Sequence, residues 1–200
     1  DPATMSVYVA RQLDGPPSPD LQAFIGEKSQ GNPFFIEQLC LYLSENGLLR
    51  RDGGAIGLIR QGMDLPAGIH AVITARIDRL SRELRELVHV ASVLGNEFES
   101  RVLRTLISLY RSALAAGQLE SLLVQGENEM IWSAISELKY LFKNALVQEV
   151  AYEMQLRQQL RTLHGLAGAA IERNYPDDKS YSEDLEYHFE QAEEREPALD

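Results

Sequence analysis

Gly31-Asn32-Pro33-Phe34-Phe35-Ile36-Glu37-Gln38-Leu39 reads as a turn that opens an amphipathic helix. Asn32 is a good N-cap, because its side-chain oxygen can accept from a backbone N–H that the first helical turn leaves unpaired. Pro33 then occupies the first helical position, where its missing N–H costs nothing and its fixed φ suits the helix. Phe35, Leu39 and Leu43 recur at helical spacing, and Gly47 is a natural stop. Residues 21–47 therefore read as two helices separated by the 31–33 turn.

Outward from this stretch, two short apolar pieces flank Asp52-Gly53-Gly54, the pattern of a small hairpin over 48–59. Leu65-Pro66 closes the connection and starts another helix. Ile69, Val72, Ile73, Arg76, Ile77 and Leu80 trace one helical face. Ser81 is placed as the next N-cap, with Glu83 in the favourable first turn. Leu84, Leu87, Val88, Ala91 and Leu94 form a second apolar stripe, ended by Gly95-Asn96. Helices are predicted near 99–110 and 111–123. The pattern then changes: Gln125-Gly126-Glu127-Asn128 is turn chemistry, Met130-Ile131-Trp132 is β-prone, and Leu138-Lys139-Tyr140-Leu141-Phe142 alternates as a strand does. Several helices followed by a two-stranded ribbon is the outline of a winged helix.

From Ala145 onward helices return. Leu156, Leu160, Leu163, Ala167, Ala170 and Ile171 make a long apolar face ending at Asn174-Tyr175-Pro176, and a last helix carries Leu185, Phe189 and Ala192. Paired helices with small residues at their crossings are how helical-repeat arrays begin. The expected fold is mainly α, in three parts: a helical lid over 1–60, a winged-helix-like domain over 61–153, and the start of tetratricopeptide-like repeats over 154–200.

The composition of the 200 residues, 44% apolar, suffices for a folded core, and no apolar run approaches the roughly 20 residues a membrane span needs. The chain opens on Asp1-Pro2 and closes on Glu196-Pro197-Ala198-Leu199-Asp200, and it is read as a segment of a longer protein. One cysteine excludes an internal disulfide; Cys40, between Leu39 and Leu41, reads as a small buried residue in a reducing, cytoplasmic setting. Of the net charge of −11, successive 50-residue blocks carry −3, −1, 0 and −7. The acidity gathers around Asp177, Asp178, Glu183, Asp184, Glu186, Glu190, Glu193, Glu194 and Glu196, a surface that repels phosphate backbones and acidic lipid headgroups. Neither nucleic acid nor membrane is an expected partner.

No Gly-x-x-x-x-Gly-Lys-Ser/Thr occurs, so the segment has no phosphate cradle of that kind, and no Gly-x-Ser-x-Gly elbow is present. His70, His89, His164 and His188 lack His or Cys neighbours at metal-ligand spacing, and His188 is expected to make a surface hydrogen bond with Asp184 at i−4. No catalytic residue and no metal site is assigned, and the segment is expected not to be an enzyme.

As a string, residues 31–39 resemble the motif that ends the nucleotide-binding module of STAND-type signalling ATPases, relatives of the AAA+ class. Three further blocks are similar to that family in order and rough spacing. They are Leu65-Pro66 with Val72-Ile73-Thr74-Ala75-Arg76-Ile77-Asp78-Arg79-Leu80, then Ala91-Ser92-Val93-Leu94-Gly95-Asn96-Glu97-Phe98, then Tyr140-Leu141-Phe142-Lys143-Asn144-Ala145-Leu146-Val147-Gln148-Glu149-Val150-Ala151-Tyr152-Glu153. Leu163-His164 and Glu186-Tyr187-His188-Phe189-Glu190-Gln191-Ala192 follow. Within the family the chain looks like the region found behind bacterial adenylate or guanylate cyclase domains and in large transcriptional regulators.

The resemblance implies an upstream P-loop ATPase domain, further helical repeats downstream, and ATP or ADP with Mg in the parent protein, with no cofactor held by this segment alone. It implies that Gly31, Asn32 and Pro33 lie at the nucleotide, with the proline near the adenine. Where the family usually carries a histidine that touches the phosphates of ADP, this chain has Asn144, which can donate a hydrogen bond but carries no positive charge. Asn144 is equally placed to cap the helix that begins at Ala145. The function so implied is a regulatory and interaction segment coupling nucleotide state to a cyclase or other effector, with a protein partner and self-association of an exposed lid surface both open. The alternative is a DNA-binding winged helix, for which Arg76, Arg79, Arg82, Arg85, Arg101 and Arg104 supply basic character, interleaved with Asp78, Glu83 and Glu86.

Overall fold

A computed structural model describes residues 2–59, 68–110 and 117–193. Helix dominates, and the fold is mainly α. The chain divides into two compact units, Asp1–Arg79 and Leu80–Asp200. This division differs from the sequence-based boundaries at 60 and 153, and side-chain packing accounts for the difference.

The first unit contains α1 (Pro2–Leu13), α2 (Pro19–Ser29), α3 (Pro33–Glu45), the hairpin β1 (Leu49–Asp52) and β2 (Ala55–Leu58), and α4 (Ile69–Arg79). Helix α1 was not anticipated, although Met5, Val9 and Leu13 recur at helical spacing and the last two are buried in the core. The hairpin pairs Asp52 with Ala55 across Gly53 and Gly54, whose φ values of 57° and 86° suit a two-residue turn that L side chains resist. Arg51 donates to the carbonyls of Leu13 and Asp14, satisfying acceptors at the end of α1. The core joins Leu21 and Ile25 of α2 to Phe35, Leu39 and Leu43 of α3 and to Ile56 of β2. Cys40 is buried there, and burial pushes its thiol up to about 12, so it is an inert apolar filler. Leu65-Pro66 lies outside the described residues.

Helix α4 joins this unit through Arg76, which the apolar periodicity had placed on a buried face. Arg76 is 5% exposed; it pairs with Glu45 at 3.1 Å and donates to the Gln38 side-chain oxygen, both on α3. A guanidinium there is tolerable because its hydrogens are matched by a carboxylate and an amide.

The second unit runs α5 (Arg82–Val93), β3 (Glu97–Glu99), α6 (Ser100–Tyr110), α7 (Leu119–Asn128), β4 (Trp132–Ala134), β5 (Lys139–Phe142), α8 (Ala145–Glu153), α9 (Arg157–Asn174), a 3-10 turn (Lys179–Tyr181) and α10 (Ser182–Glu193). Ser81 caps α5 as expected, accepting from Leu84 N at 3.3 Å. The three strands form one antiparallel sheet in the order β3-β5-β4, so the expected ribbon gains a third strand from the residues after Gly95. Helix, strand, two helices and two strands closing on the first strand is winged-helix topology. On its buried face Phe98, Trp132 and Phe142 meet with ring centroids 5.5–5.7 Å apart, at tilted to edge-on angles that favour aromatic pairs.

Gln125-Gly126-Glu127-Asn128 is not a turn but the end of α7. Gly126 is there because the Trp132 ring lies against its α-carbon, and a Cβ would run into that ring. Trp132 also donates its indole N–H to the Leu123 carbonyl at 2.9 Å. Of the helix predicted over 111–123, residues 111–116 lie outside the described residues and α7 begins at Leu119.

Helices α9 and α10 share this unit because α9 packs along α6, where the Asn174 amide donates to Thr105 Oγ1 at 2.9 Å. A Cβ at Gly165 would sit 3.6 Å from Ala192 and one at Gly168 2.7 Å from Phe189, so α9 and α10 cross closely and antiparallel. The predicted apolar faces are partly corrected. Leu156 precedes α9 and is 76% exposed, and on α10 the buried residue is His188, while Phe189 is 37% exposed. Glu194 and Glu196 of the acidic cluster lie outside the described residues.

Two outcomes follow from this packing. Gly126→Ala, which would stabilise an unconstrained helix by about 1 kcal/mol, destabilises this protein by roughly 1–3 kcal/mol in urea unfolding, because overpacking against Trp132 outweighs propensity. Arg76→Ala costs about 3 kcal/mol, the lower end for a broken buried pair because Glu45 still reaches water, and the loss is read in the unfolding of residues 1–79.

Candidate functional site

The 31–33 turn is built by two opposite backbone demands. Helix α2 ends with Gln30 in the left-handed region, φ 49°, and Gly31 follows at φ 81°. No atom lies within 4 Å of where a Gly31 Cβ would be, so its requirement is conformational and not spatial. Asn32 then extends, as a residue before proline must. Its side-chain oxygen accepts from Phe34 N at 3.0 Å and Phe35 N at 3.2 Å, and its carbonyl accepts from Ile36 N at 3.0 Å. Pro33 begins α3 with its ring held outside the helix.

This turn forms one wall of a recess of about 420 Å³. Gly31, Pro33 and Ile36 line it on one side and Thr4, Met5 and Tyr8 of α1 on the other, with Gly26 of α2 at the crossing. Burial, and then the nearby Glu37 carboxylate, raise the Tyr8 hydroxyl above its ordinary value, so the ring enters the recess as an un-ionised aromatic. The volume lies in the range of small-molecule sites, and the lining is apolar with two hydroxyls. Chemically it suits a flat, weakly polar ring system; it offers no cation to a phosphate. The Pro33 wall is legible in the motif at 31–39, whereas the Tyr8 wall comes from α1, whose apolar spacing is weak.

Asn144 lies in the second unit, where it caps α8 with its side-chain oxygen 2.9 Å from Leu146 N. Its oxygen is thus committed to the helix, while its amide N–H groups have no partner among the described residues. Among those residues no group of three or more His, Cys, Asp or Glu side chains is arranged to hold a metal ion. No helix there is long and apolar enough to cross a membrane.

A second polar feature was hidden from the sequence. His188, expected at the surface beside Asp184, is 4% exposed and faces the buried His164 with Nδ1 to Nδ1 at 2.9 Å. His164 Nε2 in turn meets the Tyr152 hydroxyl at 2.8 Å. Burial lowers both imidazoles to about 4, with each other's proximity adding to the effect on His164. The two residues are 24 apart in sequence, and only the α9–α10 crossing brings them together.

No protein-family model matches the chain. The chain is 26% identical, over 156 residues, to an uncharacterized protein of Rhizobium meliloti (strain 1021). The match covers 78% of this chain but 15% of that protein, so the similar segment is a small part of a much longer polypeptide.

The histidine pair makes stability depend on pH with a definite sign. Its folded values lie near 4 and its unfolded values near 6.5, so the unfolded chain takes up protons first and stability falls as pH drops through that window. The urea midpoint is therefore expected to be lower at about pH 5.5 than at pH 7, where ordinary carboxylates remain ionised, and His188→Gln reduces the difference.

Proposed function

We propose that this chain is a non-catalytic regulatory segment of a nucleotide-dependent signalling switch of the STAND type, working in the cytoplasm. The observation that carries the reading is the recess beside Pro33, at the motif whose family resemblance implies proximity to adenine. An apolar recess between a proline and a tyrosine fits a purine base, the flat and weakly polar part of a nucleotide. The length of the Rhizobium relative supports a segment of a multidomain chain.

In this reading ATP or ADP with Mg, bound chiefly by an upstream P-loop domain, supplies the phosphate-dependent energy difference between two arrangements. The residues of this chain contribute binding and relay. Gly31 allows the turn, Asn32 fixes its geometry, and Pro33, Ile36 and Tyr8 enclose the base. Any shift of α3 is passed to α4 through the Arg76 contacts with Gln38 and Glu45. A base that binds one arrangement better than the other moves the equilibrium by that difference and no more. The second unit would carry the response to downstream repeats, a cyclase or another effector protein.

A DNA-binding role for the winged helix is disfavoured by its surface. Helix α7, which precedes the ribbon, contains Glu120 and Glu127 and no Lys or Arg. The turn between β4 and β5 presents Ile135, Glu137 and Leu138 to solvent. Neither α7 nor that turn carries a Lys or Arg of its own to meet a phosphate.

The test is NMR titration of the 200-residue chain with adenosine and with ADP. Both are expected to shift Gly31, Phe34 and Tyr8 resonances with dissociation constants of the order of 1 mM, nearly equal because the phosphates gain nothing here. Tyr8→Ala should weaken both alike. Absence of any localised shift, or ADP binding that survives Tyr8→Ala, would remove the recess from nucleotide recognition.

A further inference from the structure

Asp184 and His188 lie one turn apart on α10 and both line a cleft of about 230 Å³ within the second unit. Its apolar wall is Leu94, Phe98, Val102 and Ile171. Its other charged groups are already matched: Glu97 pairs with Lys139 at 2.9 Å, and Glu99 accepts from the Tyr175 and Tyr181 hydroxyls and pairs with Arg101 at 3.3 Å. Asp184 has no partner among the described residues, which leaves one uncompensated negative charge facing the cleft.

His188 supplies the second observation. It is buried to 4% exposure, its Nδ1 is held by His164, and its Nε2 has no hydrogen bond among the described residues. With one edge of the ring held by α9, the opposite edge is the one given to the cleft. We propose that this cleft binds a small organic monocation, an alkylguanidinium or alkylammonium group, with Asp184 as counter-charge, His188 Nε2 as hydrogen-bond acceptor and the apolar wall against the alkyl portion.

The hydrogen-bond chain permits that assignment. An accepting Nε2 puts the His188 proton on Nδ1, which donates to His164 Nδ1; His164 then carries its proton on Nε2 and donates to the Tyr152 hydroxyl oxygen. Burial keeps the pair neutral near pH 7, so the lone pair is present. Other ligand classes fit less well. The carboxylates disfavour anions, the volume is below the range for nucleotide-sized ligands, and Asp184 and His188 have no third partner to complete a metal site among the described residues.

The experiment uses ¹⁵N-detected imidazole spectra of the whole chain, independent of nucleotide. Two probes are titrated to about 10 mM, above a ~1 mM dissociation constant: propylguanidinium, and the capped tripeptide Ala-Arg-Ala. A saturable shift of the unprotonated His188 Nε2 with propylguanidinium assigns the cleft to a free small cation. The same shift with the tripeptide alone assigns it to an arginine side chain of a polypeptide partner. In either case Asp184→Asn, an exposed substitution that leaves the core intact, should weaken binding about tenfold, the worth of a charge-assisted hydrogen bond. No shift with either probe, a His188 Nε2 that carries the proton in the free protein, or binding unchanged in Asp184→Asn would overturn the proposal.

Discussion

Short helices leave many backbone ends unpaired, and that constraint organises this protein. Among the described residues its α-helices run from 9 residues in α8 to 18 in α9, so a large share of their N–H and C=O groups have no partner within the helix. Ser18, Asn32, Ser81 and Asn144 answer it at four N-termini, each accepting a backbone N–H from the first turn. Arg51 answers it at a C-terminus. Because a cap decides where a helix begins, it also decides where the preceding turn stands. The recess beside Pro33 exists where it does because Asn32 starts α3 at that residue and Gly31 can take the conformation the turn requires.

Several joints between helices are polar. Arg76 ties α4 to α3, the Gln155 amide donates to the His89 carbonyl at 3.0 Å and to Ser92 Oγ at 3.2 Å on α5, and the two histidines join α9 to α10. Hydrogen bonds demand direction as well as proximity, so each joint selects one register of its helices where an apolar contact would accept several. Through such a joint a small displacement at one helix moves its partner instead of being absorbed by a compliant core.

Much of the fold was legible because local chemistry and tertiary demand agree. The 31–33 turn, the Gly53-Gly54 hairpin, the Ser81 cap and the mainly-α character all follow from residues within a few positions of one another. Failures occurred where a residue answers to a partner outside its own helix or turn. Gly126 looked like a turn residue until Trp132 was seen to fill the space of its side chain. Arg76 sat on an apolar stripe with no visible reason, and Glu45 and Gln38, more than 30 residues earlier, are the reason. Of the candidate site, the glycine, asparagine and proline were readable, whereas Tyr8 came from a helix whose weak apolar periodicity had gone unread.

The amino-acid sequence by itself determined the capped helix starts at Asn32, Ser81 and Asn144, the hairpin turn and the acidity of the last quarter, because each depends on backbone preferences and charge that act over one or two turns. Tertiary structure alone decided that α4 belongs with the first unit, that β3 completes the sheet, that a recess opens between Tyr8 and Pro33, and that His188 is buried against His164. Those features arise from side chains meeting across long stretches of chain, and a one-dimensional pattern records which residues want burial without recording what they will be buried against.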